Sequence, residues 1–262
     1  MTTGPQRINL SRAAESRINA RTDRLPGGSC SSPFLSMAWV IDHNRVPSMY
    51  VPKPLAESDV NVLHDFIAAN SFGTLISTSE VGVEANHMPF DLARHDGKHG
   101  TLRGHVSRQN PAWELASTGR EVLVIFQGAS AYVSPSHHPA RKSHGKVAPS
   151  WNYSVVHAYG LAKAIEQPSW ILEHLGSLTS KHEAGRPDPW KMTEAPTAFI
   201  ESAARHIIGI EVVLTRMVGK FQASQQYAEP VRQELIQGLM LEPDANSTQV
   251  AKMMASRRSM HL

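Results

Sequence analysis

The chain has 262 residues, 41% of them hydrophobic and 19% charged, a balance that suits one large or two modest globular domains. No run of eighteen or more apolar residues occurs, which excludes a membrane-spanning helix, and the lone Cys30 excludes an intramolecular disulfide or a cysteine metal cluster and suits a reducing cytoplasm. The formal charge of +3 resides in residues 1–48, with six Arg against three acids, whereas the rest carries 20 basic and 20 acidic side chains. Bulk charge therefore gives no support for strong non-specific DNA affinity, and only a local basic patch stays open.

Residues 1–48 are rich in Arg, Ser, Gly and Pro and lack a sustained period before Met37. They read as a disordered extension. A misassigned start, with Met49 as the true one, is favoured over a flexible tail or a transit peptide, and a secretory signal is the least suitable reading. The domain proper is expected over residues 49–262.

A helix is predicted near Ser58–Asn70, with Ser58 as N-cap and Val60, Leu63 and Ile67 as its apolar stripe. Strands follow at Gly73–Ser79, Glu84–Phe90 and Thr101–His105, then at Glu121–Gln127 and Ala131–Ser134 to either side of Gly128, with a long strand over Trp151–Ile165. Helical spacing returns at Pro168 with Ile171, Leu175 and Leu178, and again over about Pro196–Ile207. A strand over Gly209–Lys220 and two helices, around Glu229–Leu241 and Ser247–Ser256, complete the chain. This order predicts an α+β fold built on a closed or half-closed antiparallel barrel.

The strand over Trp151–Ile165 carries chemistry on one side. Alternation sets Tyr153, Val155, His157 and Tyr159 on one face and Val156 and Ala158 on the other, so one face could line a pocket for a flat ligand or simply fill a β core. Arg103 to Trp113 places two guanidinium groups, His105, Ser107 and Asn110 at a strand end, which is either a phosphate cradle or a solvated turn. Gly219-Lys220-Phe221-Gln222-Ala223-Ser224-Gln225-Gln226 sets a cation, a hydroxyl and amides at another strand end. The fourteen histidines show no convincing metal spacing, His182-Glu183 lacks a second histidine, and no serine sits in a nucleophile elbow.

Taken together, several short motifs in the same order resemble the PaiB-type FMN-binding negative transcriptional regulators. They are Met49-Tyr50-Val51-Pro52-Lys53, Ala85-Asn86-His87-Met88-Pro89-Phe90, Gly104-His105 with Asn110-Pro111-Ala112-Trp113, and Ala131-Tyr132-Val133-Ser134-Pro135-Ser136. Pro149-Ser150-Trp151-Asn152-Tyr153 with His157-Ala158-Tyr159-Gly160, His182-Glu183, Gly209-Ile210-Glu211 and Lys220 with Ser224-Gln225 continue the series. The resemblance covers Met49 to Ala255. It implies an antiparallel split β-barrel of Greek-key type, related in fold to the pyridoxamine-phosphate oxidases, with flanking and C-terminal helices, FMN as cofactor and a homodimer with flavin near the subunit contact.

On this resemblance Trp151 and Tyr159 pack against the flavin ring, Asn152 and His157 bond its polar edge, and Arg108, Asn110 and Lys220 lie near the phosphate. His87, His105, Trp113, Ser224 and Gln225 complete the candidate set. Two departures stand out: His137-His138 replace aromatic residues after Ser-Pro-Ser, and Ser224-Gln225-Gln226-Tyr227 replaces Ser-Gln-Asn-Arg. Three functions follow from the implied cofactor. The first is a repressor acting on DNA or a transcriptional partner, and the alternatives are an FMN-dependent oxidoreductase working with a nicotinamide cofactor and a haem-binding split-barrel protein. No helix-turn-helix pattern is visible.

Overall fold

The computed structural model describes residues 48–80 and 82–257; the extension expected over residues 1–48 lies, apart from Ser48, outside them. A short strand β1 (Ala56–Glu57) precedes helix α1 (Val60–Ala69). Asp59, not Ser58, caps that helix, its carboxylate accepting from the N–H groups of Asn61 at 2.8 Å and Val62 at 3.4 Å. Strands β2 (Phe72–Ser79), β3 (Gly82–Pro89), β4 (Asp91–Ala93) and β5 (Thr101–Ser107) lead to a short helix α2 (Ala112–Ala116). Then come β6 (Glu121–Val133), α3 (Ala140–Ser143), β7 (Ser150–Ile165), α4 (Pro168–Glu183), α5 (Thr197–Ala204), β8 (Ile207–Gln222), α6 (Glu229–Leu241) and α7 (Ala245–Ala255).

The strands form one antiparallel sheet in the order β3-β2-β6-β7-β8-β5-β4, with β1 added beside β8. β3 and β4 stand at opposite ends of this order, yet a single residue, Phe90, separates them in the chain. The sheet must therefore curl until its ends meet, and Phe90 is the seam. Its ring is fully buried, packs edge-on against Phe126 at 5.8 Å, and fills the space where Gly104 has no side chain; a Cβ there would stand 3.1 Å from the ring. Across the split, Asn110 Nδ2 donates to Asn86 Oδ1 at 2.9 Å. The result is the expected α+β split barrel.

Inside it, Leu75, Val124, Phe126, Val156, Ala158, Ile210 and Val212 form a core with Leu63 and Ile67 of α1. A second core joins α6 and α7 to the far end of β6 through Ala131, Val133, Leu235, Leu239, Val250 and Met254. Two boundaries differ from the sequence reading. β6 is one strand with a register shift between Gln127 and Ser130 rather than two strands, and the helix expected to reach Ile207 stops at Ala204. From Ile207 the chain is strand, because Ile208, Ile210 and Val212 are drawn completely into the barrel. Among the described residues no helix is long and apolar enough to cross a membrane.

Helix α4 lies over the outside of β5 and β8. Trp170 sits on Gly209, where a Cβ would come 2.3 Å from the indole, and stacks on His174 with ring centroids 5.2 Å apart. Ser177 and Lys181 bond Asp91 at 2.9 and 3.4 Å.

Candidate functional site

The pleat of β7 sends Val156 and Ala158 inward, where neither is exposed, and Tyr153, Val155, His157 and Tyr159 outward. Pairing registers extend that outer face over neighbouring strands. His87, Thr74, Ile125, His157 and Val218 form one row across β3, β2, β6, β7 and β8; Ala85, Ile76, Leu123, Tyr159 and Arg216 form the next. Thr74 Oγ1 and His87 Nδ1 are hydrogen-bonded at 3.0 Å. The Arg216 guanidinium lies 3.3 Å over the Tyr159 ring centroid and donates to Glu121 at 3.0 Å. Arg216 was not legible from strand alternation, because the register between β7 and β8 shifts at Tyr159/Gly160 and changes which residues of β8 share its face.

His157 is half-buried and its Nδ1 is enclosed with no hydrogen-bond partner. A bare enclosed nitrogen costs less than an enclosed N–H, which puts the proton on Nε2 and makes that atom the donor. Burial lowers the pKa of this ring, so it serves as a neutral donor. Lys220, one strand over, has no ion-pair partner among the described residues; its ammonium lies 5.4 Å from the Tyr153 ring and 5.9 Å from that of Tyr50.

The remaining predicted residues fall in two other places. At the end of β5, His105 turns under α4, its Nδ1 3.1 Å from His174 Nε2. Arg108 reaches Glu166 at 2.6 Å and the Arg205 carbonyl at 3.2 Å, on the rim of a cavity of about 460 Å³ floored by Ile171, Leu172 and Ala204. Asn110 Oδ1 accepts from the Ala112 N–H at 2.9 Å, and Trp113 Nε1 donates to the Arg108 carbonyl at 3.2 Å, so both side chains shape this turn. Arg108 and Lys220 flank opposite ends of β8, about 40 Å apart along an extended strand. One phosphate cannot touch both within one chain.

Asn152, Ser224 and Gln225 lie deep in the protein. Asn152 Nδ2 donates to Ser224 Oγ at 3.0 Å and Met254 Sδ at 3.2 Å, while Gln225 bonds the Phe221 carbonyl at 2.6 Å and the Ala223 N–H at 2.8 Å. These groups are spent on one another and brace β7, β8 and α7. Ser224 holds a left-handed backbone (φ 56°), which that brace supports. Trp151, beside them in sequence, points outward, 55% exposed, edge-on to Tyr132 at 6.1 Å.

Residues 49–216 match the family described as "Putative FMN-binding domain". The chain belongs to this FMN-binding family. It is 29% identical over 209 residues to the Protease synthase and sporulation protein PAI 2 of Bacillus subtilis, an alignment covering 80% of this chain and 98% of that one. It is 32% identical over 235 residues to an uncharacterized protein of Aspergillus fumigatus, covering 72% and 90%. Solved structures similar to it include a conserved hypothetical protein of Mycobacterium tuberculosis (12% identity, TM-score 0.48, covering 69% of this chain and 95% of that one). Another is the FAD and heme binding protein of Mycobacterium smegmatis (14% identity, TM-score 0.48, covering 70% and 80%).

FMN is thus the cofactor that the FMN-binding family assigns to this chain. Its residues suit that ligand: a flavin needs apolar-aromatic packing, donors for its pyrimidine edge and a cation for its phosphate. The outer face offers Tyr153 and Tyr159 for the first, the unpartnered His157 for the second and Lys220 for the third.

Proposed function

We propose that the chain is an FMN-binding negative regulator of transcription that works as a homodimer, with flavin between the two outer sheet faces. The observation carrying this reading is the row His87, Thr74, Ile125, His157 and Val218 with Lys220 beside it: Thr74 and His87 bond each other, while His157 Nδ1 has no hydrogen-bond partner and Lys220 no ion-pair partner among the described residues. A second copy would cover this row, and because one chain holds Arg108 and Lys220 at opposite ends of β8, a phosphate meeting both would have to take one from each chain. When bound, FMN supplies a two-electron carrier whose redox state can alter what surrounds it. His157 would bond the pyrimidine edge, Tyr159, held by Arg216, would wall the ring, and Lys220 would hold the phosphate. The regulatory reading is supported by the motifs that resemble the PaiB-type regulators and by the similarity to the Protease synthase and sporulation protein PAI 2 of Bacillus subtilis. The lone Cys30 suits action in the cytoplasm.

Two measurements test the reading. Sedimentation over a dilution series, with and without FMN, should show a dimer stabilised by FMN; a monomer at all concentrations removes the shared site. Transcript profiling of a deletion strain, complemented by the wild type or by Lys220→Ala, should show one gene set released by deletion and left released by the variant. Unchanged transcripts on deletion would remove the regulatory role.

A further inference from the structure

We propose that the hairpin loop between β6 and β7, residues 134–149, is a duplex-DNA contact surface that grips phosphates through Arg141, Lys142 and Lys146. The proposal rests on the regulatory reading and names its partner surface. Residues 122–165 contain no Asp or Glu, although the chain as a whole nearly balances acids and bases. Within that stretch the positive charge is concentrated in the loop, where residues 141–146 are all exposed. None of Arg141, Lys142 and Lys146 has an ion-pair partner among the described residues, whereas Arg94, Arg186 and Arg257, also near the surface, pair with Asp65, Glu183 and Glu57.

The loop is built rather than slack. The Ala140 N–H donates to His138 Nδ1 at 3.1 Å and the Lys146 N–H to His144 Nδ1 at 3.0 Å, so both imidazoles staple the backbone. His137 donates to Glu242 at 2.9 Å and seats its ring over Gly238 of α6, and His138 packs edge-on against Tyr227 at 5.0 Å. Thus His137-His138, the departure noted in the sequence, anchors the loop to the C-terminal helices and fixes the backbone that carries the cations, so that binding need order only their side chains.

Two features favour a phosphate backbone over an acidic protein. Protein interfaces centre on exposed aromatic or aliphatic anchors, and none lies in 134–149 itself, the exposed Tyr132 and Trp151 at its base being paired with each other across β6 and β7. The hollow of about 430 Å³ beneath the loop is walled by Glu234 as well as Arg141 and Lys142, so an anion is steered to the outward side, where a backbone can run past.

Fluorescence anisotropy of a labelled 25-base-pair duplex against the full FMN-loaded chain tests this. The comparison is wild type, the triple variant Arg141→Ala/Lys142→Ala/Lys146→Ala, and a control with Lys53, Lys98 and Lys252 changed to Ala. The triple variant should bind more than tenfold more weakly on every duplex sequence and lower the salt slope of log affinity by about three, since each phosphate contact releases about one counterion. Its melting temperature and FMN affinity should stay those of wild type, and the control should bind as wild type does. Equal binding by the triple variant overturns the surface while leaving DNA binding in place. If no form binds duplex but deletion of the gene still shifts transcripts, the proposal falls and regulation runs through a protein partner. Unshifted transcripts instead end the regulatory reading itself.

Discussion

His105 Nδ1 and His174 Nε2 stand 3.1 Å apart and tie the outer face of β5 to α4. His174 Nδ1 is enclosed without a partner, so by the reasoning applied to His157 the shared proton belongs to His174 Nε2, with His105 accepting. A second proton on His105 would set two donors face to face, and one on His174 would put an N–H at its enclosed Nδ1, where nothing accepts it. Burial and the neighbouring His105 and Arg103 push His174 down to about 4, against a smaller opposing pull from Asp91; burial lowers His105 as well.

The sign of the resulting pH dependence follows. Between pH 6.5 and about 4 the unfolded chain binds a proton at residue 174 that the folded chain refuses, so stability is full above 6.5 and falls with falling pH, by about 3 kcal/mol at most. Asp91 and Glu211 act in a lower window. Burial raises each, but Ser177 and Lys181 for the first and Lys163 and Arg103 for the second outweigh it, so their stabilisation is lost only at more acid pH. Chemical denaturation of wild type and His174→Gln at several pH values should show the variant flatter between 6.5 and 4; parallel curves would exclude the pair as the cause.

Gly209→Ala should cost roughly 1–3 kcal/mol, because its Cβ would stand 2.3 Å from Trp170 and must push the indole off β8 and away from His174. Near-ultraviolet circular dichroism would register the displaced indole. An unchanged melting temperature would mean that α4 shifts without strain.

Asn152→Ala separates a brace from a ligand contact. Leaving Ser224 Oγ buried and short of its partner costs about 1–3 kcal/mol, so the melting temperature should drop by several degrees while FMN affinity, measured well below it, stays put. Lost affinity at unchanged stability would return Asn152 to the flavin.

Lys220→Ala should weaken FMN by about ten- to a hundredfold and riboflavin, which lacks the phosphate, far less. Arg108→Ala should do the same if it arrives from the second chain. Mixing the two weakened variants then gives a sharper result: a mixed dimer holds one site with both residues intact, so about a quarter of all sites should regain tight binding after random reassortment. No recovery on mixing would remove the phosphate site shared between two chains.

Much of this architecture was legible in the residues themselves, because strand alternation and helix periodicity are local consequences of burial on one side. The outward set Tyr153, Val155, His157 and Tyr159 could be read from a period of two, and α6 was placed at Glu229–Leu241 from its apolar spacing and breakers. The motifs shared with the FMN-binding family pointed to strands β3, β5, β7 and β8 as the place to look for a site. What tertiary structure alone decided was partnership. Asn152, Ser224 and Gln225 looked like open donors, yet their bonds close within the chain; Arg232, on a helix read as ordinary, is buried with its guanidinium on the carbonyls of Met254 and Arg257. Arg108 and Lys220 seemed to share a phosphate, yet β8 holds them at opposite ends. The physical reason is range: propensity and periodicity act over a few residues, whereas register, closure at Phe90 and the choice of a polar partner depend on segments tens of residues apart that only the folded barrel brings together.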